Sequence, residues 1–206
     1  MLDPILRRWI DPPLNRAGAW LAERNVSANA ASLAGLGVGL LAVPLLAHGH
    51  YAAALVVILL NRLIDGLDGA IARKRGGGSA FGGYLDIMCD MAFYAAVPVG
   101  FALASPGNAV WAAVLLASFV CTASSFLGRA VVAAERGEPD DGSRGRKSFF
   151  HAAGIVEGTE TIAAFILFCL FPGSFPWLAG VFALLCLWTA GARVHDAYRS
   201  TSRPTD

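Results

Sequence analysis

The chain has 206 residues and a formal net charge of +1, with 56% of residues hydrophobic and 15% charged, and a mean hydropathy of +0.56. That balance excludes an ordinary soluble domain. A helix needs about 20 apolar residues to cross a hydrocarbon core about 30 Å thick, so the length accommodates about six spans and no separate soluble domain.

In chain order, the opening stretch MLDPILRRWIDPPLNRAGAWLAERN lacks the unbroken apolar run of a secretory signal, and Pro12-Pro13 cut it in two. It is expected to remain in the mature protein. Leu2, Ile5, Leu6 and Trp9 recur at helical spacing opposite Arg7 and Arg8, and Leu14, Ala17 and Leu21 repeat the pattern. Residues 1–28 are therefore expected to form a cytoplasmic juxtamembrane segment whose amphipathic helix lies in the membrane interface. Six transmembrane helices are predicted at roughly 30–47, 51–73, 82–104, 109–132, 148–171 and 176–198. Residues 29–198 then form one all-α, integral-membrane domain, and 199–206 a cytoplasmic tail. Cys89, Cys121, Cys169 and Cys186 lie in apolar stretches without metal-ligand spacing and are read as core packing. The stretch ERGEPDDGSRGRK reads as an exposed loop.

The turns HGHY, SPGN and PGSFP contain no Lys or Arg. The basic residues fall instead at the N-terminus, in RKR at 73–75, around Arg129 to Lys147, and from Arg193 onward, and only Arg62, inside a span, is silent on the topology. The positive-inside rule places both termini and the 74–81 and 135–147 loops in the cytoplasm.

The second predicted span carries Asn61, Arg62, Asp65 and Asp68, and the third carries Asp86 and Asp90. A charge inside a bilayer costs about 2.5 to 3.5 kcal/mol on insertion scales, so these acids require a compensating partner, such as a cation or a proton path. Asp65, Asp68, Gly69 and Ala72 share one helical face, and Asp86 and Asp90 stack one turn apart. The rise per residue puts all four acids about 6 to 12 Å below the cytoplasmic helix ends, and the short connection makes the two helices antiparallel neighbours. Converging carboxylates suit a hard divalent ion, Mg²⁺ or Mn²⁺. Gly69 and Ala72 leave room on that face for a ligand or a close helix.

The pattern Asp65-x2-Asp68-Gly69-x2-Ala72-Arg73-x8-Gly82-x3-Asp86-x3-Asp90 resembles the complete motif of the CDP-alcohol phosphotransferase (CDP-alcohol phosphatidyltransferase) family. The stretch NVSANAASLAG resembles the Asn-containing start of that family's first span, with Ala28 where a proline is frequent. The resemblance implies an enzyme of phospholipid biosynthesis in a bacterial-type cytoplasmic membrane, its active site facing the cytoplasm. Its donor would be CDP-diacylglycerol, its acceptor the hydroxyl of a small polyol or polyol phosphate, and its leaving group CMP. Two Mg²⁺ or Mn²⁺ ions are implied, held mainly by Asp65, Asp68 and Asp86, with Asp90 as general base and further ligand. Asn29, Gly69, Ala72, Arg73 and Gly82 would line the donor's nucleotide and pyrophosphate, Arg73 neutralising charge. Gly76-Gly77-Gly78 reads as a helix terminator in preference to a phosphate loop.

Candidate acceptor ligands are the basic residues Arg129, Arg144, Arg146, Lys147 and Arg193. Glu157 and Glu160, beside Thr159 in the fifth predicted span, either bind acceptor hydroxyls or an amine or pair with Arg129 or Arg193. His151 reads as an interfacial side chain. The resemblance also implies a homodimer among membrane lipids, and no nucleic-acid partner is expected. A second reading within the family joins a CDP-linked small alcohol to a lipid acceptor. A different class, a cation or proton transporter, is opposed by acids clustered at one depth and by the lack of an inverted repeat. A helix-bundle scaffold is opposed by acids without matching bases in the same two helices.

Overall fold

The computed structural model describes residues 3–135 and 156–201, and every regular element among them is helical. The helices are α1 (Asp3–Glu23), α2 (Ala28–Leu40), α3 (Ala42–Ala47), α4 (Tyr51–Lys74), α5 (Ala80–Ala104), α6 (Ala109–Glu135), α7 (Gly158–Leu170) and α8 (Phe175–Thr201). Four stretches are long and apolar enough to cross a membrane: Ala28–Ala47, Ala80–Ala104, Pro106–Val132 and Pro172–Arg199. The 24-residue α4 is long enough but carries Arg62, Asp65 and Asp68, and α7 has only 13 residues.

Three expectations are revised. The first predicted span is two helices, because α2 stops at Leu40 and α3 begins at Ala42. Pro44 has no N–H for the Leu40 carbonyl, and its ring crowds that carbonyl. Pro12 and Pro13 do not cut α1, since both lie inside one helix. Proline's fixed φ is itself helical, and two missing N–H bonds weaken a helix without ending it. Along α1, Gly18 is buried while Ala17 is exposed. A Cβ added to Gly18 would stand 2.5 Å from Ala70 Cβ, and one added to Gly66 would stand 2.8 Å from Leu14, so α1 lies against α4 where small residues permit close approach. Of the cysteines, Cys89, Cys169 and Cys186 are buried as expected, whereas Cys121 is exposed on α6.

The core is aromatic. Phe101 stacks on Phe175 at 4.4 Å and on Tyr51 at 5.7 Å, while Phe165 meets Phe93 edge-on at 6.1 Å. Backbones approach through Gly39, whose added Cβ would lie 2.6 Å from Phe93, and Gly100, 2.8 Å from Leu46. Helices α6 and α8 pack along each other, and α2 packs on both α4 and α5. The latter two keep their backbones apart and meet through side chains, as the antiparallel neighbours that their short connection predicts. A gap between them is what carboxylates on both facing sides require, because closer helices would press like charges together.

Candidate active site

Local sequence places each half of the site. Helix α4 ends where Gly76 (φ 92°) and Gly77 (φ 121°) take backbone conformations that L side chains rarely adopt, with Gly77 N donating to Ala72 O at 3.0 Å. This is the terminator read from the triple glycine. Helix α5 is capped at its start by Ser79, whose Oγ accepts from Gly82 N at 2.9 Å, the preferred chemistry of an N-cap. The acids of α4 and α5 then face each other across the gap.

Asp65, Asp68 and Asp86 each bring one carboxylate oxygen to within 4.8 Å of the others. Asp68 is buried at 8% exposure, and the hydroxyl of Ser32, itself buried on α2, donates a short hydrogen bond to Asp68 Oδ2. Asp90 is placed differently. Its Oδ1 accepts from Arg62 Nη1 at 2.9 Å, and the same Nη1 lies 3.5 Å from Asp65 Oδ2. Arg62 further donates Nε to Asn61 Oδ1 at 2.8 Å. The order of pairing, Arg62 with Asp90 and Asp65 and Asp68 with Asp86, makes α4 and α5 antiparallel.

Three hard carboxylate ligands so close together fit a divalent ion of the Mg²⁺ or Mn²⁺ kind. Of the residues expected to line a donor, Gly69 follows Asp68 directly and Gly82 lies one turn before Asp86. Gly69 leaves space that the Arg73 guanidinium approaches, 3.2 Å from where a Cβ would stand, and Gly82 leaves space bordered by Asn29 Oδ1 at 3.2 Å. Ala72 is half-buried one turn after Asp68. Arg73 is exposed, and its Nη2 donates to Asn15 Oδ1 of α1 at 2.9 Å.

The expected acceptor residues divide. Arg129 is buried on α6. Arg193 on α8 is half-buried, donates to Thr122 O at 3.4 Å, stands 5.8 Å from the Phe126 ring centre, and lies within electrostatic reach of Glu157. Lys147, Arg144, Arg146 and His151 lie outside the described residues, as does the 148–155 portion of the fifth predicted span. Glu157 and Glu160 mark the start of α7 instead of its middle. Glu157 is its N-cap, and the two side chains form a capping box, with Glu157 N donating to Glu160 Oε2 at 3.1 Å. Orphan N–H groups at a helix start account for this pair of acids.

Sequence reasoning did not single out Ser32 or Tyr94, and it treated Arg62 only as a charge. The signal for Arg62 is its place one turn before Asp65 on the acidic face; Ser32 and Tyr94 carry none beyond a polar group in an apolar run.

Fold and site together define a helical, membrane-type protein with a carboxylate centre divided between two antiparallel helices. The chain belongs to the CDP-alcohol phosphatidyltransferase family, whose model matches residues 25–191. It is 48% identical to Inner membrane protein YnjF of Escherichia coli over 199 residues, 96% of each chain. It is 29% identical to the phosphatidylinositol phosphate synthase of Mycobacteroides abscessus over 161 residues, 75% of this chain and 69% of that one. The fold matches Mycobacterium tuberculosis phosphatidylinositol phosphate synthase (PgsA1) at 20% identity. The TM-score is 0.65 for its complex with manganese and citrate, covering 94% of this chain and 93% of that one. With CDP-DAG bound it is 0.66, covering 94% and 98%.

Proposed function

We propose that this chain transfers a phosphatidyl group from CDP-diacylglycerol to the hydroxyl of a small polyol or polyol phosphate, releasing CMP. The observation that carries this reading is the meeting of Asp65, Asp68 and Asp86 within 4.8 Å inside the complete family motif. The relative named for phosphatidylinositol phosphate synthesis puts an inositol phosphate first among acceptors. Family membership and the likeness to an inner membrane protein support a six-span arrangement, α2 with α3 as the first span and α4 as the second, with α1 along the cytoplasmic interface. The charge distribution supports a site facing the cytoplasm, where a cytidine nucleotide is available. A homodimer is part of the same reading.

Asp65, Asp68 and Asp86 would hold Mg²⁺ or Mn²⁺, which when bound neutralises the donor's diphosphate and stabilises the departing CMP. Arg73 adds positive charge on the nucleotide side, and Asn29 and Gly82 shape the nucleotide's seat. The acceptor oxygen forms a bond to the lipid-side phosphorus, the bond from that phosphorus to CMP breaks, and Asp90 takes the acceptor's proton. Arg129, Lys147, Arg193, Glu157 and Glu160 are the candidates for holding the acceptor.

The test is a proteoliposome assay with CDP-diacylglycerol that follows CMP release while inositol phosphate, glycerol phosphate, inositol, serine and glycerol are offered in turn. CMP release with one acceptor, abolished by excess chelator and restored by Mg²⁺ or Mn²⁺, is expected. No release with any acceptor, or full turnover in chelator, overturns the proposal.

A further inference from the structure

Two residues of the basic run at 73–75 hold α1. Arg75 Nη2 donates to Ala22 O at 3.3 Å, in the last turn of α1, where orphan carbonyls and the negative end of the helix favour a cation. Arg73 Nη2 donates to Asn15 Oδ1 at 2.9 Å. Between these two contacts the backbones of α1 and α4 touch, for a Cβ added to Gly18 would stand 3.0 Å from the Ala70 carbonyl carbon and 3.1 Å from Ile71 N. Asn15 therefore meets Arg73 from a place set by packing. At 100° per residue, Asp65, Asp68, Gly69 and Ala72 share one face of α4, while Gly66 and Ala70 point toward α1. Arg73 falls on the boundary, between Gly69 and Gly66, and is exposed. Asn15 binds one end of its guanidinium and leaves Nη1 over Gly69, 3.2 Å from where a Cβ would stand. A guanidinium only donates, so the amide presents its oxygen, a neutral acceptor.

We propose that Asn15 is a positioning residue: it holds Arg73 over Gly69, on the donor's side of α4, so that α1 completes the donor site. This rests on the donor reading given above. An exposed arginine must surrender side-chain freedom when it grips a diphosphate. Here Asn15 restrains the guanidinium before the donor arrives. Because the amide is neutral, it does so without cancelling the charge that the diphosphate needs. An aspartate at the same position would hold Arg73 as well and neutralise it. The motif running from Asp65 to Asp90 supplies Arg73 but not the residue that aims it, which comes from a helix ahead of the matched residues 25–191.

The experiment is equilibrium binding of CDP-diacylglycerol to the purified full chain in nanodiscs with Mn²⁺ and no acceptor, with Mn²⁺ affinity and CMP release measured on the same preparations. Asn15 is exposed, so its variants leave the core intact. Asn15→Ala should weaken donor binding by about 3 to 10-fold, the size of one ordinary hydrogen bond. Mn²⁺ affinity should hold, and kcat should stay within about twofold of wild type. Asn15→Asp should weaken donor binding by a similar factor, because it keeps the bond and cancels the charge. Asn15→Gln, which keeps a neutral amide oxygen, should restore donor binding to within about threefold. Arg73→Ala should weaken donor binding by itself, and adding Asn15→Ala to it should change nothing further. Equal losses from Asn15→Ala with and without Arg73 would make Asn15 a prop for α1 and overturn the inference. Wild-type donor binding in Asn15→Ala or in Asn15→Asp overturns it as well. The expected binding pattern without CMP release from any acceptor would uphold the inference and overturn the proposed transfer, because binding is read without an acceptor.

Discussion

Replacing Ser32 with alanine tests whether the third helix at the site is part of its chemistry. Ser32 is 6% exposed and Asp68 is 8% exposed, so no bulk water replaces the hydroxyl that donates to Asp68. Ser32 Oγ also lies 3.2 Å from Ala28 O, but one hydroxyl proton serves one acceptor, and the carboxylate is the stronger. A hydrogen bond to a charged group contributes about 1.5 to 3 kcal/mol, and at 1.4 kcal/mol per decade that is roughly 10 to 150-fold in a binding constant. Loss of a ligand's outer partner costs a similar 10 to 100-fold. Ser32→Ala should therefore weaken Mn²⁺ binding by about 10 to 100-fold, with the metal-free protein also unfolding at a lower temperature because a buried carboxylate has lost a donor. The assay is Mn²⁺ titration beside thermal unfolding with and without Mn²⁺. An unchanged Mn²⁺ affinity together with a lowered unfolding temperature would show that Ser32 only holds α2 to α4, and would refute the reasoning.

Gly82→Ala would put a Cβ 3.1 Å from Ser79 Oγ and 3.2 Å from Asn29 Oδ1; KM for CDP-diacylglycerol should rise while Mn²⁺ affinity of the donor-free protein holds, which initial rates and titration will check. Gly39→Ala would meet Phe93 at 2.6 Å and Asn61 at 2.8 Å, so thermal unfolding should show a loss of about 1 to 3 kcal/mol, the usual cost of overpacking. On a background with the native cysteines replaced, a cysteine at Gly78 should react with an impermeant maleimide only from the cytoplasmic side and one at Gly107 only from outside; the reverse pattern would turn the site away from its nucleotide.

The carboxylate centre was legible because helical spacing alone puts Asp65 and Asp68 on one face and Asp86 and Asp90 on another. The division among them was not. A census of acids and bases finds one arginine against four aspartates and discounts it, whereas position decides: Arg62 lies one turn before Asp65 and level with Asp90. Ser32 was hidden for a different reason, since a serine in an apolar run gains meaning only when α2 docks beside Asp68. Glu157 and Glu160 did carry a readable signal, two acids three residues apart before an apolar run, but a predicted span from 148 to 171 placed them in mid-helix. Pro44 marked the break between α2 and α3 and was passed over because the apolar stretch continues through it.

The pairing of Arg62 with two aspartates has a consequence for how the chain enters the membrane. Arg62 and Asp65 are three residues apart on one helix, so their contact is available as soon as α4 coils, before any other helix arrives. A nascent α4 thus reaches the translocon with part of its charge already neutralised. The bond to Asp90 forms only when α5 follows. On the six-span reading, α4 is poorly retained alone, and α4 and α5 are committed to the bilayer together as a hairpin, with Arg62 bridging an acid of each helix.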